Sequence, residues 1–148
     1  MLTTRRTTLD DVPRLAALSE VLGYPVEAGA LANRLTRLLA RDENVVFVVV
    51  TALGEVVGWI HALELELLEV ERHCEIAGLV VNVAYRGQGA GRQLVEAAER
   101  WAAGRGNAHM NVRSNVVRAE SHPFYERMGY ERVKTQHAYR KTLTLRQD

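Results

Sequence analysis

The chain has 148 residues, 47% hydrophobic and 25% charged, with a net charge of +1 and no long run of one sign. That composition suits a soluble globular protein with a single core and argues against a nucleic-acid or polyanion binder. Cys74 is the only cysteine, so no disulfide can close within the chain; no segment approaches a membrane span, and no signal-type apolar stretch follows Met1-Leu2-Thr3-Thr4-Arg5-Arg6. The expectation is one cytoplasmic domain over residues 1–148, without nucleic-acid or membrane partners.

Thr-rich residues 2–8 predict an opening strand. Pro13 belongs in the first turn of the next helix, where its missing N–H costs nothing. That places the cap near Leu9 or Asp10, with Asp10 and Asp11 complementing the helix dipole. Val12, Leu15, Ala16, Ser19 and Leu22 line one face, and Gly23-Tyr24-Pro25 ends the helix. Leu31, Leu35, Leu38 and Leu39 mark a second helix, whose start Gly29 weakens. The period then changes. Val45 to Val50 reads as a strand buried on both faces. Ala52 to Glu55 is a turn, and Val56 to Leu65 completes a hairpin. Residues 66–72 read as an exposed connection, and Cys74 to Val83 as a third long strand.

This strand runs into Tyr85-Arg86-Gly87-Gln88-Gly89-Ala90-Gly91-Arg92, where an amphipathic pattern begins at once. Strand, Gly-rich turn and helix N-terminus make an anion site, because unpaired N–H groups converge there and the dipole favours negative charge. A dinucleotide fold would need G-x-G-x-x-G after the first of repeated βαβ units, and a P-loop would need G-x-x-x-x-G-K-[ST]. This chain has neither. Leu94, Ala97, Ala98 and Trp101 line the following helix, which Gly104 and Gly106 stop. Residues 107–113 form a short strand, parallel to the one before the turn. Val116 to Met128 predicts a helix that Pro123 kinks or delays. Two last strands, 130–136 and 138–145, close the chain, and their valines and leucines allow a homodimer.

Arg86-Gly87-Gln88-Gly89-Ala90-Gly91 resembles the R/Q-x-x-G-x-G/A signature of the GCN5-related N-acetyltransferases (GNAT family). Downstream, Asn115 and then Phe124-Tyr125-Glu126-Arg127-Met128-Gly129-Tyr130 resemble the family's second signature. Ala84 stands where proline is usual and Asn82 where an acid is common. The resemblance covers essentially the whole chain. It implies an α/β (α+β) fold, the GNAT acyl-CoA N-acyltransferase fold: a mixed, mostly antiparallel sheet of about seven strands with four helices, splayed between strands 4 and 5. It also implies an N-acetyltransferase that moves the acetyl group from acetyl-CoA to a primary amine of a small molecule or peptide.

The resemblance assigns roles that chemistry can weigh. The amides around Gln88, Gly89, Gly91 and Arg92 would cradle the coenzyme pyrophosphate. Arg86 and Arg92 would add charge, or merely solvate a helix end. The peptide-like pantetheine arm would pair with strand backbone at Val81 and Val83, with Asn115 opposite; a plain cap is the alternative for Asn115. An amine of pKa near 10.4 arrives as ammonium, so a base must take a proton. Glu75 is the candidate base, a carboxylate in an apolar strand sharing parity with Ala77, Leu79 and Val81; a salt-bridged or edge-exposed glutamate is the alternative. The thioester oxygen would need a donor, such as a strand N–H near Val81. Tyr125 would protonate the leaving thiolate, or act only as an aromatic anchor beside Phe124.

His122 and His137 are weaker bases, and the histidines lack zinc-type spacing, so no metal is expected. Cys74 reads as a buried apolar cysteine rather than a nucleophile. On the acceptor side stand Tyr24, Asn33 and the glutamates at 64, 66, 69 and 71, which would attract a cationic amine or simply face solvent. The rival class is an acyl-CoA-binding sensor or pseudoenzyme of the same fold. Transfer to oxygen, or of longer acyl groups, stays open.

Overall fold

The Val-rich and alternating segments pair as their chemistry indicates. In the computed structural model, which describes residues 1–113 and 121–146, β1 (Thr3–Arg6), β2 (Asn44–Val50), β3 (Val56–Leu67) and β4 (Val70–Val81) pair antiparallel in sequence order. β5 (Met110–Val112) joins β4 in parallel, so the sheet has five strands in the order β1-β2-β3-β4-β5. The chain divides into two compact units, Met1–Arg113 and Ser114–Asp148.

In the first unit, α1 (Val12–Val21) follows a 3-10 turn at Leu9–Asp11 and holds Pro13 in its first turn. Asp11 does more than face the dipole. Its carboxylate accepts two bonds from Arg5 on β1, at 2.8 and 2.9 Å, and others from the Thr7 hydroxyl and the Thr8 N–H. The Arg5 guanidinium thus holds the buried carboxyl down at about 2. Leu18, absent from the expected face, is buried beside Val12, Leu15 and Ser19. α1 ends at Gly23, where the Tyr24 N–H returns to the Ser19 carbonyl at 3.0 Å. α2 (Ala28–Leu39) overcomes Gly29 through a cap: the Glu27 carboxylate accepts from the Gly29 and Ala30 N–H groups at 2.7 and 2.8 Å. Leu35 is its buried residue, whereas Leu39 is exposed, so the apolar face is narrower than the leucine spacing suggests.

α1 and α2 cover one face of the sheet, packing Leu15, Leu18 and Leu35 on Val46, Val48 and Val80. α3 (Ala90–Gly104) packs against β2, β3 and β4, where Leu94, Val95 and Ala98 are buried together with Val45, Val49 and Ile60. Covered on both sides, β2 is the doubly buried strand its valine run implied. Each such side chain contributes about 1.5–3 kcal/mol by leaving water.

Three expectations need correction. The 66–72 connection shrinks to Leu68 and Glu69, because β3 and β4 continue to a Leu67–Val70 pair. Charged side chains are tolerated in this extension because its residues there face water. β4 stops at Val81, so Val83 is no strand residue: the Asn82 carboxamide accepts from the Ala84 N–H at 3.0 Å and starts a 3-10 turn over Val83–Tyr85. The two final strands do not form. Residues 131–146 are exposed and irregular, so the described sheet has five strands rather than about seven. A two-stranded ribbon is marginal without a face to bury, and Glu131, Arg132, Lys134, Arg140 and Lys141 interrupt any apolar face there.

The second unit contains α4 (Ser121–Arg127), with Pro123 in its first turn, so the regular helix is delayed as the sequence implied. The earlier part of that expected helix lies outside the described residues, as does Asn115. Among the described residues, no helix is long and apolar enough to cross a membrane.

Candidate active site

One irregularity in β4 organises the site. His61 pairs with Gly78 and Ala62 with Ile76, so Ala77 has no partner on β3. Such a bulge exchanges which residues face each way. The Asn82 N–H donates to the Val57 carbonyl at 2.8 Å. By alternation, Leu79 and Val81 turn their N–H and C=O groups away from β3. β5 pairs with β4 only over Cys74–Ile76. Beyond that point, among the described residues, the outer edge of β4 at Leu79 and Val81 has no strand partner. This is the expected splay between the fourth and fifth strands.

The bulge also corrects the parity argument for Glu75. Glu75 pairs with Leu63 and so shares a face with the His61–Gly78 and Trp59–Val80 pairs, not with Leu79 and Val81. That is the face toward α1 and α2, on which Trp59 packs. The Glu75 side chain is 15% exposed and lies 3.6 Å from the Arg113 guanidinium and 3.4 Å from His73 Nε2. His73, not singled out from sequence, is itself held through Nδ1 by the Glu71 carbonyl at 3.0 Å. Glu75 therefore lies on the α1–α2 face of the sheet, ion-paired with Arg113, and is not among the described residues that line the cavity below.

The Gly-rich turn has the geometry of an anion cradle. Gly87 and Gly89 have φ of +78° and +84°, and no atom lies within 4 Å of where their Cβ atoms would be. The backbone thus demands glycine, and open space lies over it. Gly89 caps α3, and the first helical bond runs from the Gln93 N–H to the Gly89 carbonyl at 3.0 Å. The N–H groups of Ala90, Gly91 and Arg92 are left without helical partners. Gln88 folds back to the Ala84 carbonyl at 3.3 Å, Arg86 is exposed, and Arg92 pairs with Glu96 at 3.7 Å. A pyrophosphate-sized anion placed here would meet these free N–H groups.

A cavity of about 620 Å³ opens between the α1–α2 pair and the sheet. Tyr24, Leu31 and Arg34 line it from the helical side, and Trp59, His61, Ala77 and Gly78 from the strands. It therefore begins at the bulge. His61 escaped the sequence reading of the site, although a histidine amid apolar β3 residues was the available signal. Its Nε2 lies 2.9 Å from Asn44 Oδ1, and burial pulls its pKa down. Asn33 is exposed and outside the lining. The glutamates are elsewhere. Glu64 is held by Asn107 at 2.7 Å and by Arg105 at 3.1 and 3.3 Å, and its carboxyl is lowered chiefly by Arg105. Glu66, Glu69 and Glu71 sit exposed at the hairpin tip. Cys74 is fully buried and burial pushes its thiol up, consistent with an inert cysteine.

In the second unit, the Tyr125 ring meets Phe124 and Tyr130 edge-on, at centroid distances of 5.1 and 5.8 Å. Burial pushes its phenol up to about 12. His137 is exposed.

The profile of the acetyltransferase (GNAT) family matches residues 13–130. The chain belongs to this family. It is an N-acetyltransferase, and its five-stranded mixed sheet with flanking helices is the family's fold. An aminoalkylphosphonate N-acetyltransferase of Salmonella typhimurium is 33% identical over 129 residues, 86% of this chain and 83% of that protein. Among solved structures, the aminoglycoside antibiotic 6'-N-acetyltransferase AAC(6')-Ih of Acinetobacter baumannii superposes with a TM-score of 0.86 at 15% identity, covering 97% of this chain and 100% of that one. AAC(6')-Iy, in complex with the bisubstrate analog CoA-S-monomethyl-acetylneamine, gives a TM-score of 0.85 at 18% identity, covering 97% of this chain and 99% of that one.

Proposed function

We propose that the protein transfers the acetyl group of acetyl-coenzyme A to the primary amine of a small molecule, by direct attack in a ternary complex. The observation that carries this is the edge of β4 that has no strand partner among the described residues, and that links the Gly-rich turn to the bulge beside the cavity. From Asn82 back to Ala77 the strand spans about 16 Å. A peptide-like pantetheine arm laid there would find the Leu79 and Val81 backbone groups as an added strand does. Its pyrophosphate would meet the free N–H groups at Ala90, Gly91 and Arg92. The Salmonella relative is an aminoalkylphosphonate acetyltransferase and the structural neighbours are aminoglycoside acetyltransferases; both classes of compound are small-molecule amines, which supports that acceptor class.

The chemistry we infer combines these residues with Tyr125, whose role the family resemblance implies. The acceptor ammonium, with a pKa near 10.4, must lose a proton before its lone pair attacks the thioester carbon. Glu75 takes that proton, directly or through water, with Arg113 and His73 holding its carboxylate in place. The carbonyl oxygen gains charge as the C–N bond forms, and an outward N–H of β4 near Val81 receives it. The C–S bond then breaks and Tyr125 donates to the leaving sulfur. With its phenol at about 12, Tyr125 is protonated at every working pH. Complete transfer to a thiolate of pKa about 8.5 is uphill by about 5 kcal/mol, so its contribution is a hydrogen bond that strengthens as charge reaches sulfur.

Release of free thiol from acetyl-coenzyme A across an amine library tests the proposal. Amine-dependent release supports it, and tight coenzyme binding with no release for any amine overturns it in favour of a sensor.

A further inference from the structure

The cavity has an electrostatic character that the acetyl transfer does not explain. Among the described residues that line it, none is an aspartate or glutamate. Its cation is Arg34, on α2, and among the described residues no carboxylate pairs with it. Glu27, next to the lining residue Val26, is occupied by the first N–H groups of α2. The indole Nε1 of Trp59 is buried without a hydrogen-bond partner. An orphaned buried donor is costly, and an acceptor atom on a ligand would satisfy it. The Trp59 ring is fixed, because its six-membered edge lies against Gly78, 2.9 Å from where a Cβ would be. The Trp59 wall therefore stands beside the bulge, while Arg34 lines the cavity from the helical side.

We infer that the acceptor is a small amine with an oxyanion at its other end, a carboxylate or phosphonate held by Arg34, and that the Trp59 Nε1–H donates to a polar atom of the same molecule. The inference rests on the acetyl transfer proposed above and adds its substrate class. An unpaired guanidinium matches a planar or tetrahedral oxyanion through paired N–H donors. The same charge repels a second ammonium, and the described lining residues offer such a group no carboxylate as counterion. Diamines and polycationic amino sugars are therefore poor acceptors.

The full chain with acetyl-coenzyme A is assayed on matched amines: 2-aminoethylphosphonate and β-alanine, propylamine as the uncharged counterpart, and 1,3-diaminopropane and an aminoglycoside as the cations. The expected result is a kcat/KM for an anionic amine about 10- to 100-fold above that for propylamine, with the cations lowest. Arg34→Ala should raise KM for the anionic amine by a similar factor, leaving propylamine turnover and coenzyme KM unchanged. Arg34→Glu should move preference toward the diamine, and Trp59→Phe should weaken the acceptor without loss of fold. Equal losses for all amines in Arg34→Ala, or preference of the native protein for a cation, overturns the inference. If no amine is acetylated, calorimetric titration of 2-aminoethylphosphonate and β-alanine separates the two ideas. Binding lost in Arg34→Ala upholds the anion site while the transfer reading falls; no binding of either overturns the anion site as well.

Discussion

Trp59 and Gly78 fit together so closely that a Cβ at position 78 would stand 2.9 Å from two carbons of the indole ring. The contact joins β3 to β4 one residue beyond the bulge and forms a wall of the cavity. Gly78→Ala must therefore displace the ring. The expected cost is about 1–3 kcal/mol of stability, as for an overpacked site, with a raised acceptor KM and an unchanged coenzyme KM. Urea unfolding together with steady-state kinetics measures both.

Gly89→Asp should abolish coenzyme binding. It puts a carboxylate over the free N–H groups of α3 at a backbone φ of +84°. Gly89→Ala carries the backbone strain, about 1–2 kcal/mol, without the charge. Calorimetry with coenzyme A should show at least a ~100-fold larger loss for aspartate than for alanine. Equal losses would mean that the turn is only a structural bend.

Glu75→Gln should flatten the acidic limb of the pH profile of kcat/KM, since the amide cannot take the proton. A limb retained in Glu75→Gln but lost in His61→Gln would move the base to His61, which lines the cavity opposite the bulge.

Tyr125→Phe should lower kcat by about 100-fold with little change in coenzyme affinity. The basic limb of the profile should not report the phenol below pH 10, because burial holds it at about 12. An unaltered kcat would leave Tyr125 as the aromatic partner of Phe124 and Tyr130 alone.

The Arg5–Asp11 pair ties β1 to the start of α1. The folded Asp11 carboxyl sits at about 2, below its ordinary 3.8. A lowered folded value means the stabilisation is complete above about pH 4 and is lost as pH falls toward 2. Its size is at most about 2 kcal/mol, reduced by screening because Arg5 is half in water. Asp11→Asn should lose that amount at pH 7, and the difference from the native protein should shrink at pH 2.5. Urea titrations at the two pH values give the comparison.

Much was legible in the chain itself. The valine run of β2, Pro13 in the first turn of α1 and the leucine-alanine face of α3 are local patterns, and local patterns survive any packing. The alternating glycines likewise announced their turn, because positive φ is a local demand. Residues 130–146 did not announce themselves, because whether an extended segment becomes a strand depends on a partner the segment does not contain.

Sequence alone thus determined the family, the glycine turn at Gly87 to Arg92 and the parallel crossover, all of which rest on near neighbours in the chain. The tertiary structure decided the rest of the candidate site. Glu75 reaches the α1–α2 face because one unpaired residue, Ala77, reverses the alternation that follows it. His61, Trp59 and Arg34 share a cavity only because strands and helices far apart in sequence stack there. Which side chains meet across a sheet is set by register and bulges, and these are properties of paired strands rather than of either strand alone.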